Sequence, residues 1–150
     1  MSFIKHAKNI FTLLFYRRYP ENIVLFILYM EKVSIFPFRV LFKILRYAIS
    51  HTIFHVEMPP YCFTVDAIMT LRLPHAYMII IHGDVRIGEN ARIFHQVTIG
   101  HNESKDDNKA GVPLIGNNVY IGANTTIIGK VNIVDNKRIG ANSLIYKDME

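Results

Sequence analysis

The sequence predicts a mainly β chain: a parallel β-helix of short rungs, with an α-helical segment in front of it. Three observations carry this. Ten isoleucines fall on one six-residue grid: Ile81, Ile87, Ile93 and Ile99, then Ile115, Ile121, Ile127, Ile133, Ile139 and Ile145. Five of them are followed by glycine, at Gly88, Gly100, Gly116, Gly122 and Gly140. Four residues after the isoleucine stands a small or β-branched residue at most steps: Val85, Ala91, Val97, Val119, Thr125, Val131 and Ser143. Neither an α-helix (period 3.6) nor a simple strand (period 2) has this spacing. A six-residue repeat belongs to a stacked solenoid, in which each rung forms one wall of a prism.

Residues 1–52 read as helices. One runs from about Phe3 to Tyr19 and stops at Pro20; a second runs from Glu21 to about Ile35. Pro37 breaks it, and a third runs from Phe38 to Ser50. In the third, Val40, Leu41, Ile44, Leu45 and Ala48 form an apolar stripe, with Arg39, Lys43 and Arg46 away from it. The segment is expected to cap the open end of the solenoid. A basic amphipathic surface that touches anionic lipid is a compatible second expectation.

Residues 53–150 form the solenoid. Residues 51–80 alternate apolar side chains without the isoleucine–glycine step and read as a degenerate first coil. From Ile81 the grid is regular, save that Ile99 to Ile115 spans sixteen residues instead of six. The inserted loop, residues 101–114, is polar and charged, as are loops that carry a binding face. No closing element is visible after Ile145, so a lost C-terminus or a covering chain is expected.

Charge is unevenly spread. Residues 1–56 carry eight basic and two acidic side chains, net +6, and residues 57–150 nine basic and ten acidic, net −1. A near-neutral solenoid argues against a nucleic-acid groove along the repeats. The single cysteine, Cys62, excludes an intrachain disulfide and fits a reducing compartment. No secretory signal is visible. The longest uncharged apolar run, Ile23–Met30, has eight residues, against the roughly 20 needed to span a bilayer. A cytoplasmic location is expected, with residues 1–50 able to touch the inner face of the membrane.

Two stretches resemble a known family. LPHAYMIIIHGDVRIGENARIFHQVTIG (73–100) joins a Pro-His element to an Ile-Gly rung and a Val-Thr-Ile-Gly rung. PLIGNNVYIGANTTIIGKVNIVDNKRIGANSLIYKD (113–148) continues the rungs. Together they resemble the hexapeptide-repeat acyltransferases, within them the serine acetyltransferase family, and in particular the acetyltransferases of polysaccharide gene clusters. The resemblance implies a left-handed β-helix that assembles as a homotrimer, with active sites in clefts between subunits. That handedness opposes the usual right-handed crossover, so it is taken from the family and not from the period.

The resemblance also assigns a site. His75 matches the family's catalytic histidine. It also breaks the grid, because Leu73 to Ile81 spans eight residues, and a bulge is a way to aim a side chain. Imidazole suits proton removal from a hydroxyl near neutral pH. An orienting carboxylate is expected upstream: Glu57, in Val56-Glu57-Met58-Pro59-Pro60, is the nearest match and Asp66 the alternative. Backbone N–H groups at the Gly100 turn could hold the oxyanion. Acetyl-CoA, as acyl donor, is expected along the later coils, against the backbone at Ala123 and Ala141 and with its nucleotide end at Arg138. No metal is expected, since the spacing of His82, His95 and His101 does not give a three-imidazole site.

The acceptor is less determined. The family's serine enzymes place an Arg-His pair just before a Pro-x-Ile step. Here Gly111 and Val112 precede Pro113-Leu114-Ile115. An uncharged sugar hydroxyl in capsule, O-antigen or exopolysaccharide synthesis is therefore the first expectation. L-serine is the alternative within the class, and an inactive trimeric scaffold the alternative outside it.

Overall fold

The computed structural model describes residues 3–103 and 110–150. Part of the inserted loop, 104–109, lies outside the described residues. Helices α1 (Phe3–Phe15), α2 (Glu21–Val33) and α3 (Phe38–Leu45) come first, and a π-helical turn, Arg46–His51, continues α3. These helices are shorter than the sequence suggests. Helix α1 stops four residues before Tyr19, and regular α-geometry in the third is lost at Arg46.

Among the described residues eleven short strands follow: β1 (Val56–Glu57), β2 (Ile79–Ile81), β3 (Arg86–Ile87), β4 (Arg92–Ile93), β5 (Thr98–Gly100), β6 (Leu114–Ile115), β7 (Tyr120–Ile121), β8 (Thr126–Ile128), β9 (Asn132–Ile133), β10 (Arg138–Ile139) and β11 (Leu144–Ile145). They pair in parallel into three sheets, and from β2 onward successive strands go to each sheet in turn. Sheet one is β1-β2-β5-β8-β11, sheet two β3-β6-β9 and sheet three β4-β7-β10. Isoleucine stacks on isoleucine: Ile81 pairs with Ile99, Ile99 with Ile127, Ile115 with Ile133 and Ile121 with Ile139. All ten grid isoleucines lie in strands. Nine are at most 4% exposed, and Ile145, in the last strand, is half-buried. Each fully buried isoleucine contributes about 1.5–3 kcal/mol, so the three columns they form, one per sheet, are the solenoid's main cohesive element.

The corners use a second residue type. Asn90, Gln96, Asn118, Asn124, Asn136 and Asn142 all have φ near +60°, a region that asparagine enters more readily than most residues. Their side chains also ladder between coils: Asn118 Nδ2 donates to Asn136 Oδ1 at 3.0 Å, and Asn124 Nδ2 to Asn142 Oδ1 at 2.8 Å.

The first coil departs from the sequence reading. It holds a 3-10 turn, Pro60–Cys62, and a short helix, α4 (Val65–Thr70). Thr64 caps α4, its Oγ1 accepting from the Ala67 N–H at 3.0 Å, and Asp66 sits favourably in the first turn. Single bridges still carry the stacking, with Phe63 beside Ile87 and Arg72 beside Arg92.

Helix α2 of the helical segment packs on this coil. Val24, Leu25, Leu28 and Tyr29 join one buried cluster with Phe54, Met58 and Ile68. Tyr29 also ties α1 to α2, its hydroxyl bonded to Asn9 Nδ2 at 3.2 Å and to His6 Nδ1 at 2.7 Å. The α3 stripe is different. None of that helix's residues is fully buried, and Val40, Leu41 and Ile44 are exposed. Among the described residues no helix is long and apolar enough to cross a membrane.

Candidate active site

The His75 corner is built by three buried anchors. Leu73 and Ala76 are fully buried, as is Ile79, so the chain must loop outward between them, and Pro74 and His75 occupy the excursion. The loop is closed locally: the Tyr77 N–H donates to the His75 carbonyl at 2.8 Å, and Met78 takes φ of +53°. From below, the Leu73 N–H donates to Glu21 Oε1 at 2.8 Å. That same oxygen accepts from Arg72 Nε at 3.1 Å and Arg17 Nη1 at 3.4 Å. A buried carboxylate of α2 thus holds the backbone two residues before His75.

His75 is exposed, and its ring stands edge-on to His95, with centroids 5.6 Å apart and an interplanar angle of 82°. The two line a concavity of about 420 Å³ with Tyr77, Met78 and Gln96. His95 Nδ1 is buried and has no hydrogen-bond partner. The pairing follows from coil arithmetic: one coil plus the two bulged residues separates 75 from 95.

The same corner continues down the stack. The Gln96 N–H donates to the Tyr77 carbonyl (3.1 Å), Asn124 to His95 (3.1 Å) and Asn142 to Ala123 (2.9 Å). Tyr77, His95, Ala123 and Ala141 therefore lie in one column between sheets three and one, and the bulged His75 stands at its head with its ring against His95. Beside it an aromatic row leads away from His75. Phe94 is 6.3 Å from His75 and 5.2 Å from Tyr120, and the Arg138 guanidinium lies 4.3 Å over the Tyr120 ring. Phe94 and Tyr120 carry no catalytic signal in the sequence; only the stacking reveals them.

Glu57, Asp66 and Gly100 are placed elsewhere. Glu57 pairs with Ile80 in sheet one, and its Oε2 lies 4.0 Å from His51 Nδ1. It shares a second concavity with His82, Gly83 and Gly100, at the opposite edge of sheet one from His75. Asp66 lies 3.6 Å from Lys5. Among the described residues no carboxylate forms an ion pair with His75, so within one chain neither candidate orients it. His82 and His101 do approach one another, with ring centroids at 5.6 Å. Among the described residues no cluster of three or more His, Cys, Asp or Glu could hold a metal ion.

The inserted loop leaves the coil through a closed neck. The Asn102 N–H donates to the Gly111 carbonyl at 3.0 Å, and Gly111 returns the bond at 3.2 Å. A concavity of about 720 Å³ lies on sheet two, away from His75, and is lined in part by Cys62, Arg86, Asn117 and Asp135. Cys62 is no nucleophile there. Burial pushes its thiol up to about 11, and Sγ lies against the His82 and Gly83 carbonyls at 3.4 and 3.3 Å.

No protein-family model matches the chain. Individual proteins do. The serine acetyltransferase of Buchnera aphidicola (from Schizaphis graminum) is 34% identical over 116 residues, 73% of this chain and 43% of that protein. A soybean serine acetyltransferase structure complexed with serine superposes on 88% of this chain and 52% of its own, with TM-score 0.67 and 24% identity. A serine acetyltransferase structure in complex with CoA covers 93% of this chain and 55% of its own, with TM-score 0.64 and 21% identity. The chain spans less than half the length of the curated relatives it matches. The structural likeness extends through the N-terminal helices as well as the parallel sheets.

Proposed function

Because the chain belongs to the serine acetyltransferase family of hexapeptide-repeat acyltransferases, we propose that it transfers an acetyl group from acetyl-CoA to a hydroxyl. The observation that carries this is the corner column of His95, Ala123 and Ala141 with the His75 ring set against its first member. It pairs an exposed imidazole with a strip of small residues along which an extended thioester could lie. His75 takes the acceptor's hydroxyl proton as the oxygen bonds to the thioester carbonyl carbon. The tetrahedral oxyanion then collapses, the C–S bond breaks, and the CoA thiolate leaves with the proton from His75. Arg138 and Tyr120, at the far end of the aromatic row, suit the nucleotide end of the donor.

L-serine is the acceptor that the relatives favour, as the relatives named above are serine acetyltransferases and two solved neighbours are in complex with serine. The relatives named above lend the sugar expectation no support. One observation keeps it as a second reading: Gly111 closes the loop neck, and with Val112 it offers no charge for a carboxylate.

We further infer that the coil is left-handed and the active unit a trimer working in the cytoplasm. Glu57 and Gly100 lie across sheet one from His75 in the same chain, which supports a site completed by a neighbouring copy. The test is thiol release from acetyl-CoA with L-serine and with sugar acceptors. Turnover with L-serine is expected. His75→Asn should lower kcat by about 10²–10⁴. Sugar turnover without serine turnover would install the second reading, and wild-type rates from His75→Asn would refute the base. Acetyl-CoA binding with no acceptor turned over would leave a scaffold.

A further inference from the structure

The outward face of the helical segment is apolar and cationic at once. The α3–π-helix element meets α2 through the side that carries Phe42 and Arg46: the Phe42 ring stands edge-on to Phe26, and Arg46 Nε donates to Glu31 Oε2 at 2.7 Å in a buried pair. The opposite side presents Val40, Leu41, Ile44 and Tyr47, the turn before the helix adds Ile35 and Phe36, and Phe38 is exposed at its first position. Phe36 is 79% exposed and Ile44 59%. An apolar groove of about 650 Å³ continues this face, between His6 and Ile10 of α1, Met30 and Val33 of α2, and Phe38 and Phe42 of α3. Contiguous apolar surface of this kind marks an interaction site.

Charge selects the partner. Residues 1–56 contain only two acids, Glu21 and Glu31. Both are buried and bonded to arginines. The exposed charges on the described part of the segment are therefore all positive: Lys5, Lys8, Arg18, Arg39 and Lys43. Lys5 lies near Asp66; Arg39 and Lys43 flank the apolar row directly. A second copy docked through the same patch about a two-fold axis would set these cations against their own kind. A sheet of anionic headgroups over acyl chains satisfies both properties.

We propose that this face docks on an anionic lipid surface. Helix α3 lies in the interfacial plane, Phe36, Leu41 and Ile44 enter the acyl boundary, and Arg39 and Lys43 stand at phosphate level. The solenoid then hangs from α2 with its coils on the water side. This is independent of which hydroxyl is acetylated.

The test is sedimentation of the full chain with vesicles of phosphatidylcholine alone and of equimolar phosphatidylcholine and phosphatidylglycerol. Binding to the anionic vesicles only, weakened by high salt, is the expected result. Arg39→Gln and Lys43→Gln should each reduce it about fivefold, and Leu41→Gln with Ile44→Gln by at least about tenfold. These side chains are exposed, so the unfolding midpoint should stay at the wild-type value, which separates lost docking from lost fold. Absence of anionic-vesicle binding, or wild-type binding by the Leu41/Ile44 variant, overturns the proposal. So does a lower native mass for that variant with no wild-type vesicle binding, which would assign the face to a protein partner.

Discussion

Glu21→Ala asks whether the helical segment and the His75 corner are one mechanical unit. The carboxylate is 3% exposed and meets three donors: the Leu73 N–H at 2.8 Å, Arg72 Nε at 3.1 Å and Arg17 Nη1 at 3.4 Å. Arg72 is 45% exposed, and its share is small, about 0–1 kcal/mol. Arg17 is different. Its side chain is 9% exposed, and burial holds its guanidinium below the ordinary value, with Glu21 opposing that shift and Arg72 adding to it. Removing the partner of a buried charge costs about 3–5 kcal/mol. The orphaned Leu73 N–H falls within that sum rather than beside it, because all three donors share one carboxylate. Against a total stability of about 5–15 kcal/mol, the loss is large. Urea unfolding should show a midpoint lowered by about 2 M, taking roughly 4 kcal/mol over a slope of about 2 kcal/mol/M. Glu21→Gln keeps an acceptor for Leu73 but loses the charge, and should cost about 1.5–3 kcal/mol. In the cold, where the variant remains folded, acetyl release should still fall, since Pro74 and His75 lose their anchor. A cost below about 1 kcal/mol, or unchanged turnover in Glu21→Ala, would refute the coupling.

Three further outcomes follow from the coil. A Cβ at Gly122 would sit 2.5 Å from the Ala141 nitrogen and 2.7 Å from the Gly140 carbonyl carbon, whereas one at Gly100 meets nothing within 4 Å. Thermal unfolding should therefore show Gly122→Ala destabilised by about 1–3 kcal/mol and Gly100→Ala near wild type; equal effects would contradict the stacking. Cys62 should resist an aromatic disulfide reagent at neutral pH and react only on unfolding, because burial holds its thiol at about 11. Fast labelling of the folded chain would contradict that burial. The Asn117 backbone N–H (2.7 Å) and side-chain amide (3.2 Å) hold the Asp135 carboxyl below its usual range. Its contribution is thus fully present above the unfolded value, about 3.9, and is lost as pH falls through the lower folded value. Asp135→Asn should flatten that acid limb of the stability curve; an unchanged limb would assign it to other carboxylates.

The rungs were legible in the sequence because a coil leaves one inward position per wall, and isoleucine fills it. Gly122 was legible for a related reason: the next coil's backbone occupies the place of its side chain. A second signal lay beside these. Asn90, Asn118, Asn124, Asn136 and Asn142 each stand three residues before a grid isoleucine, and they are the positive-φ corners that the isoleucine–glycine pattern does not use. Helix α4 was also readable, from Thr64 and Asp66 at its start. His75 was legible through its bulge, and His95 through coil spacing. Glu21 was not, since nothing local links it to Leu73 across 52 residues. Nor was the orientation of α3. Its periodicity gives an apolar side, but the Arg46–Glu31 pair decides which side meets α2, and that is a tertiary fact. Glu57 illustrates the converse: a matching local motif fixed its strand and not its distance from the imidazole.

The two hydrogen bonds between Asn102 and Gly111 have an evolutionary consequence. They pinch the insertion off, so that Ile87 still meets Ile115 and Ile93 still meets Ile121 in the same register as elsewhere. With both ends of the insertion fixed by this neck, doubling a loop's length costs only about 0.6 kcal/mol of closure entropy. A loop of another length can therefore leave and rejoin the coil there while the rungs that hold His75 and His95 keep their register through their own isoleucine stacking.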